Sequence, residues 1–403
     1  MQKPTIKEKQ NYCIIMLIIS ILLAGCNSPT EREDVRQTEF YNIDFEKSFD
    51  TKQQMFISEI ADNVEYIELI TPKELPISRI WNVINFEDYL LVDARGDIYL
   101  FHRNGQFIRK IGSRGQGPGE YFVAGDIDID IKKKEILICD SRKILFFDFD
   151  GNFLRSREMV EINSIGVSDT IIWICPFIYS TNMKYQAFAF SLNGEGDTVE
   201  YIQNPAYEKV KSDDATFVMT PLNIPFYNRD SLLFFKGEQH NDTVWKISGA
   251  NREPYVFINM GKYKMPYEYE PWVSYENFRK NCDKYWCVQS LVENDNYFFL
   301  FSENRKYSKD NPILKCIVYD KKKREGFVAN DRSDMGITDD ILGGPSLWPR
   351  WASGDYYINV IEPYQLLEKI ETGKYSPTGQ LKELLSRIEE DTNQLIILCK
   401  MKK

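Results

Sequence analysis

The chain has 403 residues, of which 43% are apolar, 27% charged and 14% aromatic, and its formal charge is −10. These figures exclude a disordered chain, a collagen-like chain, which needs far more than 22 Gly and 17 Pro, and a polytopic membrane protein with several long apolar runs. The acid excess also argues against nucleic acid as a partner, because phosphate binding draws on Lys and Arg.

At the N-terminus, Lys3, Lys7 and Lys9 precede an apolar run from Tyr12 to Leu23, followed by Leu23-Ala24-Gly25-Cys26. A membrane-spanning helix needs about 20 apolar residues, so this shorter run with small residues before its end reads as a signal peptide over residues 1–25. The four residues ending at Cys26 resemble a bacterial lipobox, which implies that Cys26 becomes the acylated first residue and anchors the protein to a membrane. Each buried acyl CH₂ contributes about 0.8 kcal/mol, and stable anchoring needs more than one chain. Loss of residues 1–25, which carry a net +2, leaves −12 on the mature chain. Residues 26–54 open with the polar stretch Asn27 to Asp34 and are expected to form a flexible tether. Glu31, Glu33 and Asp34 loosely resemble the surface-export signal of Bacteroidetes lipoproteins, so an outer-membrane address facing either the cell surface or the periplasm is expected.

Eight cysteines are present. Beyond Cys13 and Cys26, five lie in apolar strand-like runs, where Cys behaves as a small hydrophobe. Cys282 lies in a polar stretch, and a Cys282–Cys287 bridge is one of 15 pairings open to six thiols. With His102 and His240 as the only histidines and no CxxC pair, a zinc site has little to draw on.

From Ile77 to Met159 one pattern occurs twice. Tyr89 to Asp93, Asp97 to His102 and Gln106 to Ile108 match Glu135 to Asp140, Lys143 to Asp148 and Asn152 to Leu154, with Gly105 and Gly151 placed 46 residues apart. The turns Asn104-Gly105 and Asp150-Gly151 suit type I′ hairpins, which require φ > 0 at both central residues. A repeat of 40 to 50 residues holding four short strands is the signature of a propeller blade. Further repeats follow: Thr170 to Cys175, Gln186 to Leu192 and Thr198 to Ile202; Ser231 to Phe235, Thr243 to Ile247 and Tyr255 to Ile258; Val288 to Val292, Tyr297 to Phe301, Leu314 to Asp320 and Gly326 to Ala329. A sixth has Trp348 to Ala352, Asp355 to Val360 and Asn393 to Lys400, and its missing outer strand is expected at Val64 to Leu69, which closes the ring and removes open edges. Ser376-Pro377 and the apolar stripe Leu381, Leu384, Leu385 and Ile388 predict one amphipathic helix from about Gln380 to Glu390, packed on the rim. The fold expected is therefore all-β, a six-bladed propeller over residues 55–403.

The Asp after an apolar strand (Asp93, Asp140), the Asp150-Gly151-Asn152-Phe153 turn, the loop Gly112 to Tyr121 and the ending Glu390 to Leu398 together resemble the six-bladed β-propeller lipoproteins of Bacteroides and relatives, which are similar to NHL-repeat propellers. The resemblance implies fold and address and carries no catalytic residue.

Several chemical readings compete. The Gly112 to Gly119 run lacks the spacing of a phosphate loop and reads as a crossover between repeats, with Arg114 and Glu120 facing a ligand if it lies at the channel entry. Asp93 and Asp140 recur once per repeat, which favours turn capping over metal-ion or acid–base roles. Asp126, Asp128 and Asp130 share one strand face, read as an acidic solvent face with a Ca²⁺ site as the alternative. Neither histidine sits in a triad context. Between Tyr263 and Trp286 lies an aromatic insertion in which Trp272, Tyr275 and Tyr269 are candidate ligand contacts, although packing of its rings onto the propeller is favoured. The function expected is a binding or scaffolding module for a glycan, peptide or partner protein; the alternative is a metal-assisted hydrolase or lyase with Ca²⁺ or Zn²⁺ in the central tunnel.

Overall fold

The computed structural model describes residues 40–77, 79–159, 162–176, 187–203, 226–229, 232–235, 242–270, 274–305, 313–329, 336–390 and 392–402. The signal peptide, Cys26, His240 and Trp272 lie outside the described residues. Within them the chain forms six sheets arranged as propeller blades, each running from an inner first strand outward. Blade 1 comprises Ile80–Phe86, Tyr89–Ala94, Asp97–His102 and Phe107–Ile111, and blade 2 comprises Ala124–Asp130, Glu135–Asp140, Lys143–Asp148 and Phe153–Glu158. Blade 3 holds Ile162–Ser168, Ile171–Pro176, Ala187–Leu192 and Thr198–Gln203, and blade 4 holds Phe226–Arg229, Leu232–Phe235, Thr243–Ser248 and Asn251–Asn259. Blade 5 is built from Trp286–Glu293, Tyr297–Asn304, Leu314–Asp320 and Glu325–Ala329, and blade 6 from Trp351–Ser353, Tyr356–Ile361, Leu395–Met401 and Ala61–Glu68.

Because each blade is covered on both faces by its neighbours, its inner strands read as continuous apolar runs rather than alternating ones. Glu135–Asp140 is buried along its whole length. An apolar cluster fills each gap between adjacent blades. Leu137 and Phe146 of blade 2 meet Ile165 and Ile174 of blade 3, and Val83 and Val92 of blade 1 meet Ile67 and Ile396 of blade 6. Each fully buried Leu, Ile or Phe contributes about 1.5–3 kcal/mol, so the ring is held by packing as well as by strand pairing. Closure occurs as expected: Leu395–Met401 pairs antiparallel with Ala61–Glu68, Ile397 lying opposite Tyr66.

The tether expected over residues 26–54 does not extend over the described residues 40–54. Tyr41–Asp44 pairs in parallel with Asn251–Asn259 as a fifth strand of blade 4, and Lys52–Gln53 does the same for blade 5 along Glu325–Ala329. A short helix, Phe45–Asp50, joins them, with Asp44 capping it through Lys47 N–H at 2.9 Å. The apolar residues Tyr41, Ile43, Phe45 and Met55 are buried, which a solvated linker would not supply, and the segment covers two outer edges.

Two further expectations change. At Asn104-Gly105 and Asp150-Gly151 only the glycines have positive φ, 88° and 78°. Gly105 N–H donates to His102 O at 2.9 Å and His102 N–H to Gln106 O at 2.8 Å, and the ladder shifts between Leu100 and Phe101. This is a three-residue loop ending in a left-handed glycine bulge, in place of type I′. A Cβ at Gly105 would lie 2.0 Å from Glu68 O, because the loop tip packs against the outer strand of blade 6. Type I′ signs appear instead at Arg95-Gly96, with φ of 55° and 83°.

The helical insertion contains two helices, Pro363–Glu371 and Gly379–Leu385, the second capped at Thr378 rather than at Ser376-Pro377 and shorter than expected. Leu381, Leu384 and Ile388 are buried between blades 5 and 6, as the stripe implied. Gln380 closes the outer edge of blade 6: Tyr66 N–H donates to its Oε1 at 3.0 Å and its Nε2 donates to Tyr66 O at 2.5 Å. All six described cysteines are buried thiols, so the Cys282–Cys287 bridge is not formed. Cys282 Sγ donates to Arg279 O and Cys287 Sγ to Glu303 O.

Candidate functional site

The first strands of the six blades line a central channel. In blades 1, 2, 3 and 5 this strand has a bulge at the same level, between Ile80 and Asn82, Ala124 and Asp126, Ile162 and Ser164, and Val288 and Ser290. A bulge inserts one residue and re-aims the side chains after it. The residue that follows is polar each time, and Asn82, Asp126 and Ser290 face the channel together with Asp128, Asn228 and Arg350. The channel offers about 70 Å³ to water-sized molecules, room for a few waters or for the end group of a larger ligand.

Asp126, Asp128 and Asp130 do not form a solvent face. An innermost strand has no neighbour on its channel side, so its outward N–H groups need other acceptors. Asp126 Oδ1 accepts from Ile127 N–H at 2.9 Å and Asn82 Nδ2 at 3.3 Å, while Oδ2 accepts from Ile165 N–H at 3.1 Å and from Ser164 Oγ. Asp128 Oδ1 accepts from Ile129 N–H at 2.8 Å and Asn228 Nδ2 at 3.4 Å, and Oδ2 from Val167 N–H at 2.6 Å. The two carboxylates weld blade 2 to blade 3 and reach blades 1 and 4. Burial pushes the Asp126 carboxyl up to about 6 and that of Asp128 up to about 7, against the pull of these donors. Asp130 caps the adjoining turn through Lys133 N–H at 3.0 Å. Among the described residues no group of three or more His, Cys, Asp or Glu is placed to hold a metal ion.

Asp93 Oδ1 accepts from Gly96 N–H at 2.7 Å, the turn-capping role its recurrence implied, whereas Asp140 Oδ2 accepts from Phe122 N–H at 2.8 Å and so ties blade 2 to the preceding glycine-rich crossover instead of capping its own turn. Burial pushes the Asp93 carboxyl up to about 7. In the glycine-rich crossover, Gly112 and Gly119 have φ of 63° and 74°, and Gly117 N–H donates to Glu120 Oε2 at 2.7 Å. Arg114 clamps Asp97 with Nε–Oδ1 at 3.1 Å and Nη2–Oδ2 at 3.0 Å, and also donates to Arg95 O. Both side chains thus bind their own loop and the adjacent hairpin. His102 is exposed and stacks on Tyr89 at 5.9 Å.

The aromatic insertion is bolted down at both ends. Tyr263 lies 4.4 Å from Phe49 and 5.9 Å from Phe45, and Trp286 lies 4.8 Å from Phe49. Glu270 and Arg305 form a buried fork, Nη1–Oε1 at 3.0 Å and Nη2–Oε2 at 2.8 Å. Tyr269, 6.2 Å from Tyr285, and Tyr275, the first residue of helix Tyr275–Asn281, are half-buried and keep part of their rings at the surface.

Two cations near the channel wall were not anticipated. Lys321 is buried and pairs with Glu293, the last residue of blade 5's first strand; it also donates to Asn294 O at 2.6 Å and lies 4.2 Å over the Phe298 ring. Tyr227 and Tyr255 hydroxyls complete the Glu293 carboxylate at 3.3 and 2.9 Å. Arg350 precedes blade 6's first strand and stacks 4.4 Å over Trp351, with its guanidinium pushed down to about 10 by burial and by the like charge of Arg79. One signal existed: Arg79-Ile80 and Arg350-Trp351 stand at equivalent places in two repeats.

These features define a six-bladed propeller in whose channel recurrent bulges place polar side chains. The chain belongs to the family described as a domain of unknown function (DUF4934), which matches residues 40–400. No curated protein matches it. Among solved structures it is similar to a protein of Bacteroides fragilis NCTC 9343, provisionally described as exported, at 17% identity and a TM-score of 0.68, covering 91% of this chain and 100% of that one. A member of the DUF4221 family from Bacteroides vulgatus ATCC 8482 is similar at 14% identity and a TM-score of 0.48, covering 85% of this chain and 98% of that one. The resemblance drawn from the motifs is borne out at the level of family and fold. No described helix is long and apolar enough to cross a membrane.

Proposed function

We propose that this protein is a lipid-anchored, extracytoplasmic binding propeller that takes a glycan, peptide or partner protein on the face where the channel opens. One observation carries the binding reading: both channel carboxylates spend their oxygens on protein donors, four for Asp126 and three for Asp128. A general acid or base needs a free path to the substrate proton, and a cation needs unshared oxygens. The Leu23-Ala24-Gly25-Cys26 motif supports the address, and the description of the Bacteroides fragilis neighbour as exported agrees with it.

Binding of the purified protein to glycan and peptide arrays tests the function, with Tyr275→Ala and Trp272→Ala as arms that ask whether the aromatic insertion takes part. Stoichiometric Ca²⁺ or Zn²⁺ retained by the protein and lost in Asp126→Asn would instead support the metal-assisted hydrolase or lyase. Membrane fractionation tests the anchor. Cys26→Ser should move the protein into the soluble fraction.

A further inference from the structure

We propose that Arg350 in the channel recognises a carboxylate, either a small acid or the acidic end group of a larger ligand. This rests on the binding reading above and specifies the chemistry of what is bound. Arg350 lines the channel and holds its guanidinium carbon 4.4 Å from the centre of the Trp351 ring, so an aromatic face backs the cation. Among the described residues no Asp or Glu pairs with it, although the chain carries 60 of them. The charge that acts on it is that of Arg79, which has the same sign.

A half-buried cation without an anion is unfavourable in the free protein, and an incoming anion relieves that cost. The guanidinium presents its N–H donors as a rigid fork that matches a carboxylate in two parallel bonds. A carboxylate monoanion balances the single charge of the guanidinium, whereas a phosphate dianion carries a second charge into the half-buried site. The roughly 70 Å³ open to water-sized molecules holds a carboxylate end group.

Calorimetric titration with glucuronate against glucose, with N-acetylglycine against its amide, and with inorganic phosphate tests this. At least one acid should bind while its neutral counterpart does not, and the preferred acid tells whether a sugar acid or a chain-terminal carboxylate is the source. Arg350→Gln should weaken that binding by about tenfold or more, with Arg350→Lys restoring part of it. Arg350→Met should raise Tm, because it removes an uncompensated charge; a fall would mark Arg350 as a structural residue and overturn the proposal. Equal binding in Arg350→Gln, tighter binding of phosphate, or failure of both acids would also overturn it. Should both acids fail while a neutral glycan or peptide binds, the carboxylate inference falls and the binding function stands.

Discussion

Blades 5 and 6 each place a cation near the channel wall and treat it in opposite ways. Lys321 is enclosed by the Glu293 carboxylate, a backbone carbonyl and an aromatic face, and two tyrosine hydroxyls complete the carboxylate. Arg350 has an aromatic face and, among the described residues, no anion. A charge whose partners all come from the chain holds the fold together, whereas one left without them is available to something outside it. The blade 2 carboxylates belong with Lys321: they look catalytic by residue type, and every donor around them is structural.

The largest expected effect comes from breaking the enclosed pair. Glu293→Gln should cost about 3–5 kcal/mol in urea denaturation, because it leaves Lys321 buried without its anion, and the double variant with Lys321→Met should recover most of that loss. Next, Asp126→Ala removes the acceptor of the Ile127 and Ile165 amides and should cost about 2–3 kcal/mol, by the same measurement.

The third effect depends on pH. Burial holds the carboxyls of Asp93 and Asp128 near 7 and that of Asp126 near 6, above the usual value close to 4. Between those limits the folded protein binds more protons than the unfolded chain. The contribution of these groups is therefore greatest below about pH 4 and is lost as pH rises through 6 to 7. Urea midpoints at pH 5 should exceed those at pH 8, and Asp93→Asn, which keeps an acceptor for Gly96 N–H, should reduce the difference. The smallest effect is at Arg350. Arg350→Met should change stability by less than about 1 kcal/mol, and upward, the reverse of Glu293→Gln.

Much of the fold was legible because its signals are local. Turn residues, β-branched runs and the 46-residue spacing from Gly105 to Gly151 report on chain within a few residues of themselves. The turn geometry was less legible, since Asn-Gly and Asp-Gly suit both type I′ and a glycine bulge, and each tip packs on chain far away in sequence, Gly105 against Glu68 and Gly151 against Arg109. The N-terminal segment was misread for a similar reason: Tyr41 and Ile43 show strand-like alternation over only four residues, and what fixes them is the exposed edge of blade 4.

The amino-acid order determined the repeat, the blade count, the pairing of the two chain ends and the lipobox-like motif, all of which rest on short-range pattern. Tertiary structure decided which polar side chains share the channel. Asn82 meets Asp126 across 44 residues and Asp128 meets Asn228 across 100, and the bulges of blades 1 and 2 bring Asn82 and Asp126 to one level. It decided as well that no acid among the described residues pairs with Arg350, because which carboxylates surround a cation is a property of the closed ring and not of any one repeat.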